Sequence, residues 1–238
     1  MIVPTYIGGP LVRDVLRAFA HPRRAWNKLN RWRDLARYLD VPHADLLDYR
    51  RELFDDRAFQ AHLKRHLGDV GYVTHGPELY AVVRAIRPLV VVETGVASGV
   101  SSAHILRALA ANGSGTLYSI DLPNVQEGSV VPDGRQAGWI VPDSLRGQWV
   151  LQLGDSHELL PKLLASLDDV HLFLHDSDHS YECMAFEYER AFPKLVPGGV
   201  LMSDDTHLHT AWDDFCRRNG LRPGRVGRLG VTRKRRFA

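Results

Sequence analysis

Apolar residues recur at helical spacing along the first part of the chain. Leu11, Val15, Leu16 and Phe19, and then Trp32, Leu35, Tyr38 and Leu39, each mark one face of a 3.6-residue period. Pro22 and Pro42 break residues 10–67 into separate helices. Leu46, Leu47, Leu53, Phe54, Phe59 and Leu63 supply further apolar faces. Such a stretch is too short for a core of its own, so residues 1–76 are expected to form a helical N-terminal extension, either a lid or a dimer surface. From about residue 77 strands alternate with helices. The pattern predicts helix 77–87, a β-branched strand at Leu89–Val92, a glycine-rich turn, helix 101–111 and strand 116–120. A long Gly/Pro-rich stretch spans 123–147. Strand 149–153, helix 156–166, strand 170–174, helix 181–195, strand 199–203 and helix 209–219 follow, and the end, 224–236, reads as a hairpin through Gly227 to Gly230. Repeated β-α-β units with apolar strands make residues 77–238 an α/β domain, a doubly wound and mostly parallel seven-stranded sheet covered on both faces.

Composition excludes several classes. Hydrophobic residues make up 45% and charged residues 24%, as in an ordinary globular protein. No apolar run approaches the roughly 20 residues of a membrane-spanning helix. The start, MIVPTYIGGP, has no basic region and no sustained apolar stretch, so no secretory signal is read there. Cys183 and Cys216 are the only cysteines and have no CxxC spacing, which argues against a disulfide framework and for a cytoplasmic location. The net charge of +2 is unevenly spread. From Arg217 onward there are nine basic residues and no acids, against 21 basic and 28 acidic residues before it. Such a tail could touch nucleic acid, but a solvated surface that pairs with the acidic body is the simpler reading.

Ligands of a sheet like this bind at the carboxyl ends of the strands, and the candidate chemistry lies there. VVVETGVASGVSS (90–102) is a buried strand, an acid, a glycine turn and a helix start. Gly95 and Gly99 let the backbone bend and approach a ligand closely, Ala97 and Ser98 keep the loop narrow, and Ser101 or Ser102 can cap the helix. The spacing is neither GxGxxG nor a P-loop, and Glu93 just before it suits an amino-bearing ligand better than a pyrophosphate. Asp121, ending the next strand, can accept both hydroxyls of a ribose. Asp155 with Ser156 ends the one after, where the pair could bond an adenine amino group.

Three acids at the ends of three successive strands, starting from a small-residue loop, resemble class I S-adenosylmethionine-dependent methyltransferases. The resemblance runs from about residue 77 to 215. Within them the chain looks most like the group of the macrocin and novobiocin O-methyltransferases and the cephalosporin hydroxylase. It implies a Rossmann-like fold that binds S-adenosyl-L-methionine. Glu93, Thr94, Gly95, Ala97 and Gly99, with Ser101 and Asp176 nearby, would form the cofactor site. Glu93 would lie near the methionine amino group, Asp121 at the ribose, and Asp155 with Ser156 at the adenine.

Two more strand ends, HLFLHDSDHSYE (171–182) and GGVLMSDDTH (198–207), bring Asp176, Asp178, Asp204 and Asp205 towards one cleft. Crowded carboxylates need protons or a cation, and a hard ion such as Mg²⁺ suits oxygen ligands. Helix capping by Asp178, Asp204 or Asp205, or acid–base work without a metal, are the alternatives. The resemblance implies that Asp176, Asp204 and Asp205 bind magnesium and that Asp178 is the general base. The Ser177-Asp178-His179-Ser180 sequence makes His179 a competitor for that role. His175 and His207 also flank the acids, whereas His171 and His209 read as surface residues. No HExxH pair supports zinc. The expected enzyme methylates a hydroxyl of a small-molecule acceptor such as a sugar or natural product, as a homo-oligomer, without nucleic acid or membrane partners. The rivals are a nucleic-acid methyltransferase, a hydroxylase on the same scaffold, and a non-catalytic binding protein.

Overall fold

The computed structural model describes residues 22–67, 75–123, 131 and 134–235. The helical reading over Leu11 to Phe19 and part of the Gly/Pro-rich stretch, 124–130 and 132–133, lie outside the described residues. Helices α1 (Pro22–Leu39), α2 (His43–Asp55), α3 (Arg57–Leu67) and α4 (Gly76–Ile86) precede the first strand, with Pro42 separating α1 from α2 as expected. The alternating part runs β1 (Val90–Thr94), α5 (Val100–Asn112), β2 (Thr116–Asp121), a short 3₁₀ turn (Asp143–Gln148), β3 (Trp149–Leu153), α6 (Ser156–Ser166), β4 (Val170–His175), α7 (Tyr181–Lys194), β5 (Leu195–Ser203), α8 (Ala211–Arg218), β6 (Gly224–Val226) and β7 (Leu229–Arg233).

The seven strands form one sheet in the order β3-β2-β1-β4-β5-β7-β6. The first five are parallel, and β7 runs antiparallel to both β5 and β6. Strand periodicity sorts side chains between two layers. Val91, Leu172, Leu174, Val200 and Met202 face one side, where they pack with α4 and α5. Val92, Ile120, Phe173 and Leu201 face the other, against α6, α7 and α8.

The N-terminal helices share the first of these layers: Leu35, Leu39, Leu46, Leu53, Phe59 and Leu63 are buried in the same cluster as Leu79, Val83 and Ile105. Polar ties fix them there. Arg31 pairs with the buried Glu78 at 2.6 Å, Glu52 accepts from Tyr80 Oη at 2.6 Å and from Arg84, and Arg107 donates to Asp56 at 2.5 Å. The basic C-terminal stretch also turns onto the body. Arg225 makes two bonds of 2.8 Å to Asp213, Arg218 pairs with Glu189, and Lys234 donates to the Leu195 carbonyl. Both cysteines are buried and free. No helix among the described residues is long and apolar enough to cross a membrane.

Candidate active site

The parallel register aligns the carboxyl ends of β2, β1, β4 and β5, and a cleft of about 1030 Å³ opens above them. One wall is the turn after β1. Gly95 sits at φ +82, and a Cβ there would lie 1.9 Å from the Asp176 carbonyl oxygen, so only glycine fits. Gly99, at φ +95, lies so close to the Gly138 backbone that a Cβ would stand 2.7 Å from its Cα. Backbone bonds hold the loop on both flanks: Gly95 N–H donates to the Ile120 carbonyl, Gly138 N–H to Ala97 and Ile140 N–H to Ser98. Ile140 is anchored in turn by His62 of α3, whose Nε2 lies 2.7 Å from its carbonyl.

Asp121 does local work. Its Oδ2 accepts from Val96 N–H at 3.1 Å and Ala97 N–H at 2.7 Å, so the acid at the end of β2 sets the shape of the loop. Glu93 is completely buried behind the loop and does not line the cleft. One oxygen accepts from Ser102 Oγ at 2.6 Å and Ser119 Oγ at 2.8 Å; the other has no hydrogen-bond partner. Burial pushes its carboxyl above the ordinary range, which those hydroxyls only partly offset. The expectation that Ser101 or Ser102 caps α5 is corrected: Gly99 is the N-cap, without a side-chain bond, and Ser102 is held by Glu93. Asp155 is exposed and caps α6, accepting from His157 N–H at 2.8 Å, while it and Ser156 stay on the cleft wall.

The opposite wall gathers Asp176, Asp178, His179, Asp204 and Asp205. Burial, then Asp204, Glu93 and Asp205, push the Asp176 carboxyl well above its usual range. Burial alone would raise Asp204 as well. His75, whose Nε2 lies 3.4 Å from Asp204 Oδ1, and the Asp205 N–H at 2.8 Å bring it instead down to about 2. Asp205 has a left-handed backbone at φ 47 and pairs with Arg228 at 3.1 Å.

Capping is not the work of these acids. Ser180 caps α7, Thr210 is the N-cap of α8, and Asp178 accepts from Ser180 Oγ at 2.6 Å. His179 Nε2 is buried without a hydrogen-bond partner, 3.7 Å from Asp176 Oδ1, and burial followed by the neighbouring His175 lowers its pKa. His209, expected at the surface, is half-buried and sits 2.6 Å from the His179 carbonyl. His171 is likewise half-buried. His207 is exposed, 3.7 Å from Asp205.

The structure thus brings Gly95, Ala97, Ser101, Asp121, Asp155, Ser156, Asp176, Asp178, His179, Asp204 and Asp205 to one cleft, and leaves Glu93, Thr94 and Gly99 behind its wall. The three candidate ligands Asp176, Asp204 and Asp205 are hard oxygen donors, and the crowding felt at Asp176 is what a divalent ion would relieve. In the arrangement described, Asp204 faces His75 and Asp205 faces Arg228. No three acids, histidines or cysteines among the described residues stand around one ion position. Sequence reasoning missed three partners. Arg228 and His75 carried no local signal, whereas Glu187, an acid among the buried Met184, Tyr188 and Ala191 of α7, could have been noticed from its helical spacing.

This strand order, with an antiparallel seventh strand and a ligand loop after β1, defines the class I S-adenosylmethionine-dependent methyltransferase fold. Residues 92–206 match the family described as a methyltransferase domain. Solved structures agree on the fold. The O-methyltransferase TomG from Streptomyces achromogenes, involved in tomaymycin synthesis and solved with S-adenosylmethionine, is 18% identical and aligns over 75% of this chain and 90% of its own, with a TM-score of 0.53. The S-adenosylhomocysteine-bound Podospora anserina methyltransferase PaMTH1 is 13% identical over 75% of this chain and 88% of its own, with a TM-score of 0.52. No curated protein matches the chain.

Proposed function

We propose that the protein transfers the methyl group of S-adenosylmethionine to a hydroxyl of a small molecule such as a sugar or natural product. One observation carries the reading: the loop Gly95–Gly99, shaped by Asp121, faces a wall of carboxylates and one unpartnered imidazole across a single cleft. A cleft of about 1030 Å³ has room for the cofactor and a modest acceptor together. TomG and PaMTH1 were solved with S-adenosylmethionine and S-adenosylhomocysteine, which supports the choice of cofactor.

The sulfonium is already activated, so catalysis rests on holding the methyl in line with the acceptor oxygen and removing its proton. His179 is the base in this reading. Its Nε2 has no hydrogen-bond partner, burial lowers its pKa below the ordinary imidazole value, and His209 fixes its backbone. Asp178 is already occupied by Ser180. Asp176, Asp204 and Asp205 would hold a divalent cation such as Mg²⁺, whose chemistry is to acidify and orient the acceptor hydroxyl. Holding it requires Asp204 and Asp205 to turn from His75 and Arg228.

Calorimetry with S-adenosylhomocysteine tests the cofactor. The native chain should bind it and bind NAD far more weakly. Asp121→Ala, which releases two loop amides, should lose about 1.5–3 kcal/mol of binding, as for bonds to a charged group. Tight NAD binding without any sulfonium or thioether ligand would reject the reading.

A further inference from the structure

The strongest unassigned cluster lies beneath the cleft rather than in it. Glu187, on α7, is completely buried and accepts from the ends of several elements at once. Thr94 Oγ1, at the end of β1, donates to its Oε2. His175 Nδ1, at the end of β4, lies 2.6 Å from the same oxygen. Ser177 Oγ donates to Oε1 at 2.8 Å, and Cys183 Sγ lies 3.6 Å from it. Ser156, at the start of α6, is a further hydrogen-bond partner. These hydrogen bonds hold the carboxyl below its ordinary range against the cost of burial.

The bonded residues mark the seams of the cofactor site. Thr94 immediately precedes the Gly95 turn, and Ser177 follows Asp176, whose carbonyl crowds Gly95. Ser156, Ser177 and Cys183 line the cleft themselves. The carboxyl ends of β1 and β4 and the start of α6 therefore share one buried acceptor, and a shift of any one moves the others. We infer that Glu187 is a positioning residue for cofactor binding: it holds the ends of β1 and β4 and the start of α6 in the register that shapes the loop Gly95–Gly99. The inference rests on the cofactor reading above. It assigns Glu187 no contact with the cofactor.

The test compares S-adenosylhomocysteine affinity with stability. Glu187→Leu removes the acceptor and should weaken binding by about 10- to 100-fold, the range typical of residues that orient a binding shell. Glu187→Gln should stay within about threefold of native, because hydroxyls and an imidazole can reverse their hydrogen bonds to suit an amide. Phe215→Leu, in the same core layer but on α8, supplies a loss of stability that does not touch the cleft. It should lower the melting temperature and leave affinity unchanged. If Glu187→Leu does not fold, Thr94→Val and Ser177→Ala each remove one donor and should weaken binding by about 3- to 10-fold, in proportion to a single hydrogen bond. Native affinity in Glu187→Leu, or in both single-donor variants, overturns the inference. A native chain that binds no S-adenosylhomocysteine instead overturns the cofactor reading and this inference with it.

Discussion

His104 makes the stability of the helical layer depend on pH in a calculable way. It lies on α5, 5% exposed, with Nδ1 2.7 Å from the Val100 carbonyl and its ring edge-on to Phe59 of α3 at 5.3 Å. The ring fills the space beside Gly76, where a Cβ would come within 2.4 Å of it. Burial lowers its pKa from 6.5 to about 4, and the bond to Val100 offsets only part of that. A base whose folded pKa is depressed is stabilising while both states are neutral. That stability is lost as pH falls through the unfolded value, because the unfolded chain takes up the proton first. The shift corresponds to about 3 kcal/mol in full, and to about 2 kcal/mol between about pH 7.5 and about pH 5. Other groups titrate in the same window, so the native chain is compared with His104→Gln by urea denaturation followed through tryptophan fluorescence. Whatever the substitution costs in packing is common to both pH values. The native chain should lose about 2 kcal/mol more than the variant on acidification. A gap between the two that does not change with pH would refute the reasoning, and would mean that the buried ring finds a partner for its charge.

Two further outcomes concern turnover. If Asp176, Asp204 and Asp205 hold a divalent ion, a chelator should abolish methyl transfer and Mg²⁺ or Mn²⁺ should restore it while S-adenosylhomocysteine affinity stays constant; full activity in chelated enzyme refutes the ion. If His179 is the base, His179→Gln should lower kcat by about 10²- to 10⁴-fold and remove the acidic limb of the pH profile, with Asp178→Asn much milder; the reverse ranking would move the role to Asp178.

The sheet was legible because buried parallel strands are short unbroken apolar runs between turn signals. β3 and α6 fall at their expected bounds, 149–153 and 156–166. β5 is the instructive difference. Residue 195 reads as the end of helix 181–195 and residues 196–198, with Pro197 and Gly198, as a loop, yet the strand begins at Leu195. A partner that no local pattern reveals extends the ladder: Gly198 N–H donates to the Lys234 carbonyl, and Lys234 N–H to Gly199. Side-chain partners were harder still. Ser102 looked like a cap because its position is right for one. A buried carboxylate nine residues earlier takes its hydroxyl instead. His209 looked like a surface residue until the His179 carbonyl came within its reach.

The two walls of the cleft differ in how local they are, and that difference decides what a sequence can show. The wall proposed for the cofactor draws many of its bonds from one β-α-β unit: Glu93, the loop Gly95–Gly99, Ser102, Ser119 and Asp121 bond among themselves within residues 93–121, although Gly138 and Ile140 brace the loop from outside it. Residue order alone places these groups together, so the strand-end acids and glycines could be picked out before any tertiary contact was known. The carboxylate wall opposite depends on distant segments. Asp204 is held by His75 from the start of α4, Asp205 by Arg228 from the turn between β6 and β7, and the His179 carbonyl by His209. His75 and Arg228 both lie outside the segment 92–206 that matches the methyltransferase domain. The matched segment therefore supplies the carboxylates, while the flanking segments supply the imidazole and the guanidinium that face them. A substitution at His75 or Arg228 therefore alters the surroundings of Asp204 or Asp205 while leaving in place the bonds from Asp121 that shape the Gly95–Gly99 loop.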